Sequence, residues 1–342
     1  MRCPIPLRAV LTCTAGLLIA SCSGDSAKTP VAEGVRKPLT IAVIPKGTSH
    51  EFWKSIHAGA VQAADELAAA GDTVRLIWKG PLREDDREQQ VQVVEGFISQ
   101  RVDGIVLAPL DARALARPVE EAKAGGVPTV IIDSGLDTEA IVSYIATDNA
   151  KGGELAADRL GTLLGGKGKV LVLRLHEGSA STTAREDGFL AQLSAKYPGV
   201  VVVSSNQYAG ATRETAKQAA ENLLNRFGGD LQGIFTPNES STIGMLLALQ
   251  DIGKAGKIRF VGFDATQTLL DAMSAKQLDG IAVQNPMRMG YLGVKTIVAH
   301  LRQQPFERKI DTGVTMVTPE TMDQPGVQAL IHPPFEKYLK GS

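Results

Sequence analysis

Residues 39–45 (LTIAVIP) form a continuous apolar run rich in β-branched side chains, and apolar residues at helical spacing follow from Phe52 to Ala70. A run of this length is typical of a strand that is buried on both faces of a parallel sheet. Similar runs recur downstream, and we predict strands at 73–78, 104–108 and 128–133 with helices around 86–100 and 112–124. This alternation predicts a parallel sheet that is covered by helices on both faces.

A second series of the same kind starts near residue 141. We predict strands at 169–175, 200–204, 233–236, 258–263, 280–283 and 313–317, with helices near 149–164, 182–197, 212–226, 239–253, 266–275 and 286–303. The two halves share one order of elements, although no residue-level repeat is visible. The sequence therefore predicts an α/β fold with two doubly wound, Rossmann-like lobes.

The composition fits a soluble globular chain of two domains. The chain has 342 residues, and domains average about 100–200 residues. Lys plus Arg total 36 and Asp plus Glu total 37, which gives a net charge of −1. Such a balance argues against a nucleic-acid-binding surface, which needs a basic excess, and against a polybasic membrane patch. The cysteines are Cys3, Cys13 and Cys22, so the body of the chain has no disulfide framework, cysteine-ligated metal or thiol nucleophile.

The first residues have the pattern of a targeting segment. Two arginines precede an apolar run at 9–20, which is shorter than the roughly 20 residues needed to span a bilayer. The run ends in Leu18-Ile19-Ala20-Ser21-Cys22, which resembles a bacterial lipobox. We therefore predict a lipoprotein signal peptide at 1–21, lipidation of Cys22 and a flexible tether at 22–37. The alternative is an ordinary secretory peptide with an incidental cysteine.

Polar side chains follow several of the predicted strands. Open parallel sheets bind ligands beyond the carboxyl ends of their strands, so these positions are candidates for ligand contact. The candidates are Lys46, His50, Phe52, Trp53, Asp133, Ser134, Arg185, Asn238, Asp264 and Gln284. Carboxylate, amide and guanidinium groups suit hydroxyls that both donate and accept, and aromatic faces suit the C–H face of a sugar ring. The set predicts a neutral polyhydroxylated ligand.

Each candidate also has a structural interpretation. The two aspartates could cap following helices, since Asp is a good N-cap. The aromatic pair could belong to the core, although helical neighbours point about 100° apart and at least one should face the cleft. Arg185 could pair with Glu186 or Asp187 on a solvated face. His50 and Lys46 could be ordinary loop residues.

Other motifs favour no catalytic or cofactor site. The run at 83–88 (REDDRE) mixes charge signs and predicts a solvated helix start with acids near the positive end of the helix dipole. The segment 161–168 (GTLLGGKG) nearly matches a phosphate-binding loop, but it ends in Gly168 and runs from helix to strand. The histidines outside the candidate set show no zinc-ligand spacing. We expect no metal and no cofactor.

Several motifs together resemble the ribose-binding-protein branch of the type I periplasmic binding proteins. They are FWKSIHAGA at 52–60, VPTVIIDS at 127–134, ATDN at 146–149, REDGF at 185–189 and VGFD at 261–264. The resemblance covers about residues 39–320. It implies two lobes joined by a three-crossing hinge, with one lobe at 38–146 plus 285–312 and the other at 147–284 plus 313–342. Longer members of the family have a similar C-terminal helix, here within 327–339, and the sequence leaves open whether segment 318–342 packs across both lobes.

The resemblance implies a role for each matching residue. Phe52 and Trp53 would sandwich the sugar ring, Asp133 would accept from hydroxyls, and Arg185 would donate to ring and hydroxyl oxygens. The second lobe would add Asn238, Asp264 and Gln284. Three positions of this chain depart from the ribose pattern. His50 stands where ribose binders carry an amide, Ser134 where they carry an arginine, and Ala211 where they carry an aromatic residue. The last two changes enlarge the pocket, so a hexose, ketose or polyol is expected in place of ribose.

The function that the resemblance implies is capture of a sugar in the periplasm or cell envelope. Closure of a monomeric, lipid-anchored receptor would present the sugar to the permease of an ABC importer, whose ATPase is a separate subunit. The alternative is presentation to a membrane sensor kinase or chemoreceptor. A hydrolase that uses Asp133 and Asp264 is disfavoured because Arg185 would keep both carboxylates ionised. A transcription regulator is disfavoured because no DNA-binding helix pair precedes Leu39.

Overall fold

The computed structural model describes residues 37–339. The predicted signal peptide, nearly all of the predicted tether, and Cys22 lie outside these residues. Within them the strands are β1 (Leu39–Ile44), β2 (Val74–Trp78), β3 (Gly104–Leu107), β4 (Thr129–Ile132), β5 (Tyr144–Ala146), β6 (Lys167–Arg174), β7 (Gly199–Tyr208), β8 (Gly233–Phe235), β9 (Arg259–Phe263), β10 (Gly280–Gln284), β11 (Lys309–Asp311) and β12 (Val314–Val317). The helices are α1 (Glu51–Ala69), α2 (Arg87–Ser99), α3 (Ala116–Ala124), α4 (Asn149–Leu163), α5 (Ala180–Lys196), α6 (Arg213–Phe227), α7 (Glu239–Asp251), α8 (Gln267–Ser274), α9 (Pro286–Leu301), α10 (Pro325–Ile331) and α11 (Phe335–Tyr338).

These strands form two six-stranded sheets of equivalent topology. The first sheet has the order β11-β5-β4-β3-β1-β2, and the second has the order β12-β10-β9-β8-β6-β7. All neighbouring strands pair in parallel except β10 and β12, which pair antiparallel. We call the first sheet with its helices the first lobe and the second sheet with its helices the second lobe. The predicted α/β fold with two parallel-sheet lobes is confirmed.

The chain passes between the sheets three times. It leaves the first sheet after β5, returns after β10 and leaves again between β11 and β12. The last crossing consists of Thr312 and Gly313, and the glycine has a φ of +85°, which suits a residue without a Cβ. After this short connection, β12 joins the edge of the second sheet and runs antiparallel to β10.

The alternation of β1 explains how the first lobe is built. Ile41 and Val43 pack with Trp53 and Ile56 of α1 on one face, whereas Ile44 packs on the other face with the residues of α2 and α3. Successive strand side chains point to opposite faces, so an uninterrupted apolar strand supplies two cores at once. This double burial places β1 inside its sheet, between β3 and the edge strand β2.

Glycines allow two helix pairs to approach closely, one pair in each lobe. A Cβ on Gly59 of α1 would lie 1.9 Å from the Met287 carbonyl oxygen of α9. A Cβ on Gly153 of α4 would lie 2.0 Å from the Arg185 carbonyl oxygen on α5. No larger residue fits either position without moving a backbone. The α4–α5 contact therefore sets the position from which the Arg185 side chain extends.

The C-terminal segment contacts both lobes. Val327 and Ile331 of α10 are buried in the core of the second lobe, while α11 packs against α1 of the first lobe. None of the helices between residues 37 and 339 combines the length and the apolar character needed to cross a membrane.

Candidate ligand-binding site

A polar cavity lies between the lobes, where the carboxyl ends of both sheets meet. Its wall consists of Lys46, His50, Phe52, Trp53, Glu84, Asp133, Leu175, Ser181, Thr182, Arg185, Asn238, Glu239, Asp264 and Gln284. The enclosed volume is about 20 Å³, which is close to the room that one water molecule needs. The lobes are thus closed on each other, and a larger ligand has to part them to enter.

Asp133 forms a buried ion pair with Lys46. The Lys46 Nζ lies 2.8 Å from Asp133 Oδ2, and the side chains are 4% and 3% exposed. Lys46 also donates to Ser181 Oγ in the second lobe at 3.0 Å. Lys46 is therefore a buried wall residue rather than an ordinary loop lysine, and it links the two lobes.

Ser134 forms part of the interlobe contact instead of the cavity wall. Its Oγ accepts a hydrogen bond of 3.0 Å from the backbone N–H of Ser181, in the second lobe. A larger residue at Ser134 would separate the lobes at this point. Ala211 is buried and does not line the cavity.

Asp264 is held by groups of its own lobe. It accepts from the backbone N–H of Glu239 at 3.0 Å and from Gln284 Nε2 at 2.8 Å. It does not cap the following helix, because Thr266 is the N-cap of α8. Burial raises the pKa of Asp264 to about 6, although the positive charge of Arg185 acts in the opposite direction.

Gln284 leaves an acceptor unsatisfied at the cavity. Its Nε2 is engaged with Asp264, but its Oε1 is buried and has no hydrogen-bond partner among the described residues. A buried acceptor without a partner costs about 1–3 kcal/mol, so it favours a ligand that brings a hydroxyl donor.

Arg185 is buried in the second lobe and does not pair with its neighbours in sequence. Its Nε donates to Asn149 Oδ1 at 2.8 Å and its Nη1 to the Pro237 carbonyl oxygen at 2.9 Å. The guanidinium lies 4.1 Å from the centroid of the Phe263 ring, within the range of a cation–π interaction. Glu186 pairs with Arg174 instead, at 2.9 Å. Neutral acceptors hold Arg185, so its charge remains available to the cavity.

The aromatic pair serves both the core and the cavity wall. The Phe52 and Trp53 rings lie perpendicular at a centroid distance of 4.9 Å. Trp53 is 2% exposed and packs in the core of the first lobe, and it also lines the cavity. Its Nε1 donates to Glu84 Oε1 at 2.6 Å, so a polar contact fixes the plane of the indole.

Asn238 has a structural role beside its place on the wall. It is the N-cap of α7, and its Oδ1 accepts from the backbone N–H of Ser241 at 3.2 Å. Its Nδ2 donates to Ser240 Oγ at 3.1 Å. The side chain is thus held in place before any ligand arrives.

Sequence reasoning missed several wall residues, and two of them are acidic. The prediction that the 83–88 run is solvated is wrong for Glu84, which is 5% exposed, and α2 begins only at Arg87. A search beyond the end of β2 would have found Glu84. Glu239 directly follows the predicted Asn238, and it accepts from the backbone N–H of Phe52 across the cleft at 3.3 Å. The other missed residues are Leu175, Ser181 and Thr182.

The wall has no metal-binding arrangement. Between residues 37 and 339, no group of three or more His, Cys, Asp or Glu side chains is placed to hold a metal ion. The carboxylates of the wall instead pair with basic side chains or backbone N–H groups. The chemistry of this site is hydrogen bonding.

Comparison with known proteins identifies the family. Residues 41–305 match the periplasmic binding protein domain. The chain is 28% identical over 303 residues to the ribose import binding protein of Bacillus subtilis, which covers 88% of this chain and 95% of that protein. A solute-binding protein from Agrobacterium radiobacter in complex with D-arabinose has a TM-score of 0.82 and 32% identity, with 86% and 99% of the two chains covered. One from Agrobacterium vitis with bound D-fucose has a TM-score of 0.80 and 33% identity, with 86% and 100% covered. These relatives are binding proteins, and this chain, which is not an enzyme, belongs to the periplasmic binding protein family, in the type I branch that resembles ribose-binding protein.

Proposed function

We propose that this protein binds one small uncharged sugar, a monosaccharide or polyol, in the cleft between its lobes. The observation that carries the proposal is the convergence of hydrogen-bonding groups from both lobes on one cavity. Asp133 and Lys46 come from the first lobe, and Arg185, Asp264 and Gln284 come from the second. A ligand with several hydroxyls satisfies carboxylates, an amide and a guanidinium at the same time.

The charges of the wall support a neutral ligand. Most of them already face an opposite charge at 2.6–2.8 Å, and the positive charge of Arg185 acts on the Asp264 carboxylate, so a charged ligand would leave a buried charge uncompensated. These ion pairs are Lys46–Asp133, His50–Glu84 and Arg213–Glu239.

The relatives support the same class of ligand. D-arabinose and D-fucose, which occupy two of them, are both uncharged monosaccharides. Ser134 and Ala211, which depart from the ribose pattern, do not line the cavity, so they do not enlarge it. We place a hexose, ketose or polyol ahead of ribose because further structural relatives hold α-D-tagatopyranose and D-allose.

We further propose that hinge closure delivers the sugar to the permease of an ABC importer with a separate ATPase. The moving bodies are residues 38–146 plus 285–312 and residues 147–284 plus 313–342. Closure places groups of both lobes on the sugar, so the ligand stabilises the closed state. The shape of that closed state is what a permease would recognise.

We also propose that the protein is a monomer anchored in the cell envelope by a lipid on Cys22, after removal of residues 1–21. Radiolabelled palmitate tests the anchor. The wild-type protein should incorporate the label, and Cys22→Ala should not. Labelling of Cys22→Ala at the wild-type level would contradict the proposal.

A thermal-shift screen followed by titration calorimetry tests the sugar site. The panel holds D-ribose, D-arabinose, D-fucose, D-allose, D-tagatose and myo-inositol, with D-glucuronate and ribose 5-phosphate as charged controls. We expect one or more neutral sugars other than ribose to raise the melting temperature most, because a ligand that binds only the folded state stabilises it by mass action. Preference for a charged control, or no response to any neutral sugar, would contradict the proposal.

A further inference from the structure

Glu84 connects two side chains of the cavity wall from a loop outside the predicted site. It lies between β2 and α2, buried, while Arg83 and Asp85 beside it are exposed. Its Oε1 accepts from Trp53 Nε1 at 2.6 Å and lies 2.7 Å from His50 Nδ1. All three side chains line the cavity. One carboxylate therefore orients both an indole and an imidazole at the wall.

The side chain of His50 is free to take part in this contact. His50 is the N-cap residue of α1, but its side chain makes no capping hydrogen bond. In the first turn of α1, the backbone N–H of Phe52 donates a hydrogen bond to Glu239 of the second lobe. His50 is thus held by Glu84 and not by its own helix.

The pair is ionised at neutral pH. Burial opposes the charged form of His50, but Glu84 outweighs burial and raises the pKa of His50 to about 9. Glu239 acts in the same direction and Arg213 against it. Burial likewise opposes ionisation of Glu84, but His50 and Lys46 hold the pKa of Glu84 at about 2. A charged imidazole carries a proton on both ring nitrogens, so Nε2 is a donor while Nδ1 faces Glu84.

A purely structural ion pair would be a poor explanation for this arrangement. Buried ion pairs contribute little net stability, because desolvation offsets their attraction. Here the pair sits on the wall of a ligand cavity and fixes the plane of an aromatic ring. These features point to recognition.

We propose that Glu84 is a positioning residue of the sugar site, which holds the Trp53 indole and the His50 ring at the wall so that His50 offers an N–H donor to a ligand oxygen. The last step rests on the proposed function, since the oxygen is taken to be a hydroxyl or ring oxygen of a sugar. The hold on Trp53 and His50 does not depend on it.

The first experiment needs no ligand. The protein has two tryptophans, so Trp78→Phe leaves Trp53 as the single emitter. In this background Glu84→Gln should shift the Trp53 fluorescence and should bring the NMR-measured pKa of His50 down from about 9 to below its ordinary value of 6.5. Glu88→Gln, an exposed acid of the same run, should change neither. His50→Gln assigns the resonance. An ordinary His50 pKa in the wild-type protein, or one that Glu84→Gln leaves unchanged, would overturn the proposal.

The second experiment uses whichever sugar of the panel the wild-type protein binds. Glu84→Gln should weaken binding by about tenfold at about pH 7.5, and its deficit relative to wild type should shrink towards about pH 6 as His50 regains its proton. Asp264 takes up a proton near pH 6 in both proteins, so the ratio of the two affinities is the quantity to compare over this range. His50→Gln should weaken binding to a similar extent, and Glu84→Gln should then add less than about twofold, since the two side chains act together.

Two outcomes separate this proposal from the proposed function. If wild-type protein binds a sugar and Glu84→Gln matches it in affinity and pH profile, the role of Glu84 is overturned. If wild-type protein binds no sugar of the panel, the proposed function fails, and the ligand-free measurements still decide whether Glu84 holds His50 and Trp53.

Discussion

Asp133 and Asp264 stand at equivalent positions of the two lobes and share one uncommon backbone conformation. Each follows the fourth strand of its lobe in chain order, β4 or β9, and their φ angles are +63° and +67°. Each also donates its N–H to the neighbouring strand, to Ile145 O at 3.0 Å and to Ala282 O at 2.9 Å. Left-handed residues other than glycine cost free energy and cluster at ligand clamps. The shared geometry indicates that these two strand ends form the equivalent ligand-facing positions on the two sides of the cleft.

Replacement of Asp133 by Asn tests the role of this carboxylate in sugar binding. Asn also tolerates the left-handed conformation, so the substitution removes the charge without new backbone strain. It leaves Lys46 buried without its ion partner, and we expect sugar binding to weaken by about 2 kcal/mol, or roughly 30-fold. Titration calorimetry measures the change, with the exposed Asp137→Asn as the control. Equal affinities for the two variants would contradict the role of Asp133.

Protonation of Asp264 should make sugar binding depend on pH. Ligand hydroxyls favour the ionised carboxylate, and burial raises its pKa in the free protein to about 6. Affinity should therefore rise as the pH increases through about 6 and level off above it, with proton release on binding at lower pH. Calorimetry in buffers of different ionisation enthalpy measures the released proton. Asp264→Asn should abolish the release, whereas affinity that falls with rising pH would contradict the assignment.

The raised pKa of Asp264 also predicts the direction in which the stability of the folded protein changes with pH. The pKa of Asp264 in the folded protein is raised from 3.8 to about 6, so the folded state holds this proton more tightly than the unfolded state. Its contribution to stability is complete below pH 3.8 and is lost as the pH rises through about 6. Without ligand, the stability of Asp264→Asn relative to wild type should therefore increase over this interval in urea titrations. A constant difference between the two proteins would count against the shift.

Glu239 should favour the closed form. Its carboxylate accepts from the Phe52 N–H of the first lobe at 3.3 Å and from Arg213 of its own lobe at 2.6 Å. Glu239→Ala removes the bond between the lobes, and we expect a larger radius of gyration without ligand and about tenfold weaker sugar binding. Small-angle scattering and calorimetry measure these two effects. Glu221→Ala, at a partly exposed glutamate outside the cavity wall, serves as control, and an unchanged radius in Glu239→Ala would refute the role in closure.

Gly153→Ala should disturb both the packing of α4 on α5 and the binding of sugar. The added methyl group meets the Arg185 carbonyl oxygen at 2.0 Å and the Phe189 nitrogen at 2.7 Å, so α4 and α5 must separate. We expect a loss of about 1–3 kcal/mol in stability together with weaker sugar binding, because Arg185 moves with its helix. Urea denaturation and calorimetry measure both. Gly96→Ala has no atom within 4 Å of the new methyl group, so the same change should stabilise that helix by about 0.5–1 kcal/mol.

The strands that escaped prediction are the shortest at the hinge. β5 and β11 have three residues each, but so does β8, which we predict at 233–236, so length alone does not explain the omission. β11 (KID) has a single apolar residue, and it forms a strand by pairing with β5, which lies far away in sequence. β5 in turn pairs with β4 and β11.

The predicted and missed wall residues differ in a similar way. Asp133, Arg185 and Asp264 stand at strand ends or in motifs that the sequence displays directly. Glu84 lies in a run of mixed charge that matches a solvated helix start, and its burial depends on His50 and Trp53 from another segment. Local pattern holds no information on a partner supplied from elsewhere.

The sequence by itself determined the alternation of strands and helices, the burial of β1 on both faces and the group of polar residues at the strand ends. These follow from side-chain periodicity and from the polarity of parallel strands, which are local properties. Only the tertiary structure decided that Glu84 and Glu239 enter the cavity wall and that Ser134 joins the lobes. Burial of a charge is favourable only next to a specific partner, and such partners meet only when the chain has folded.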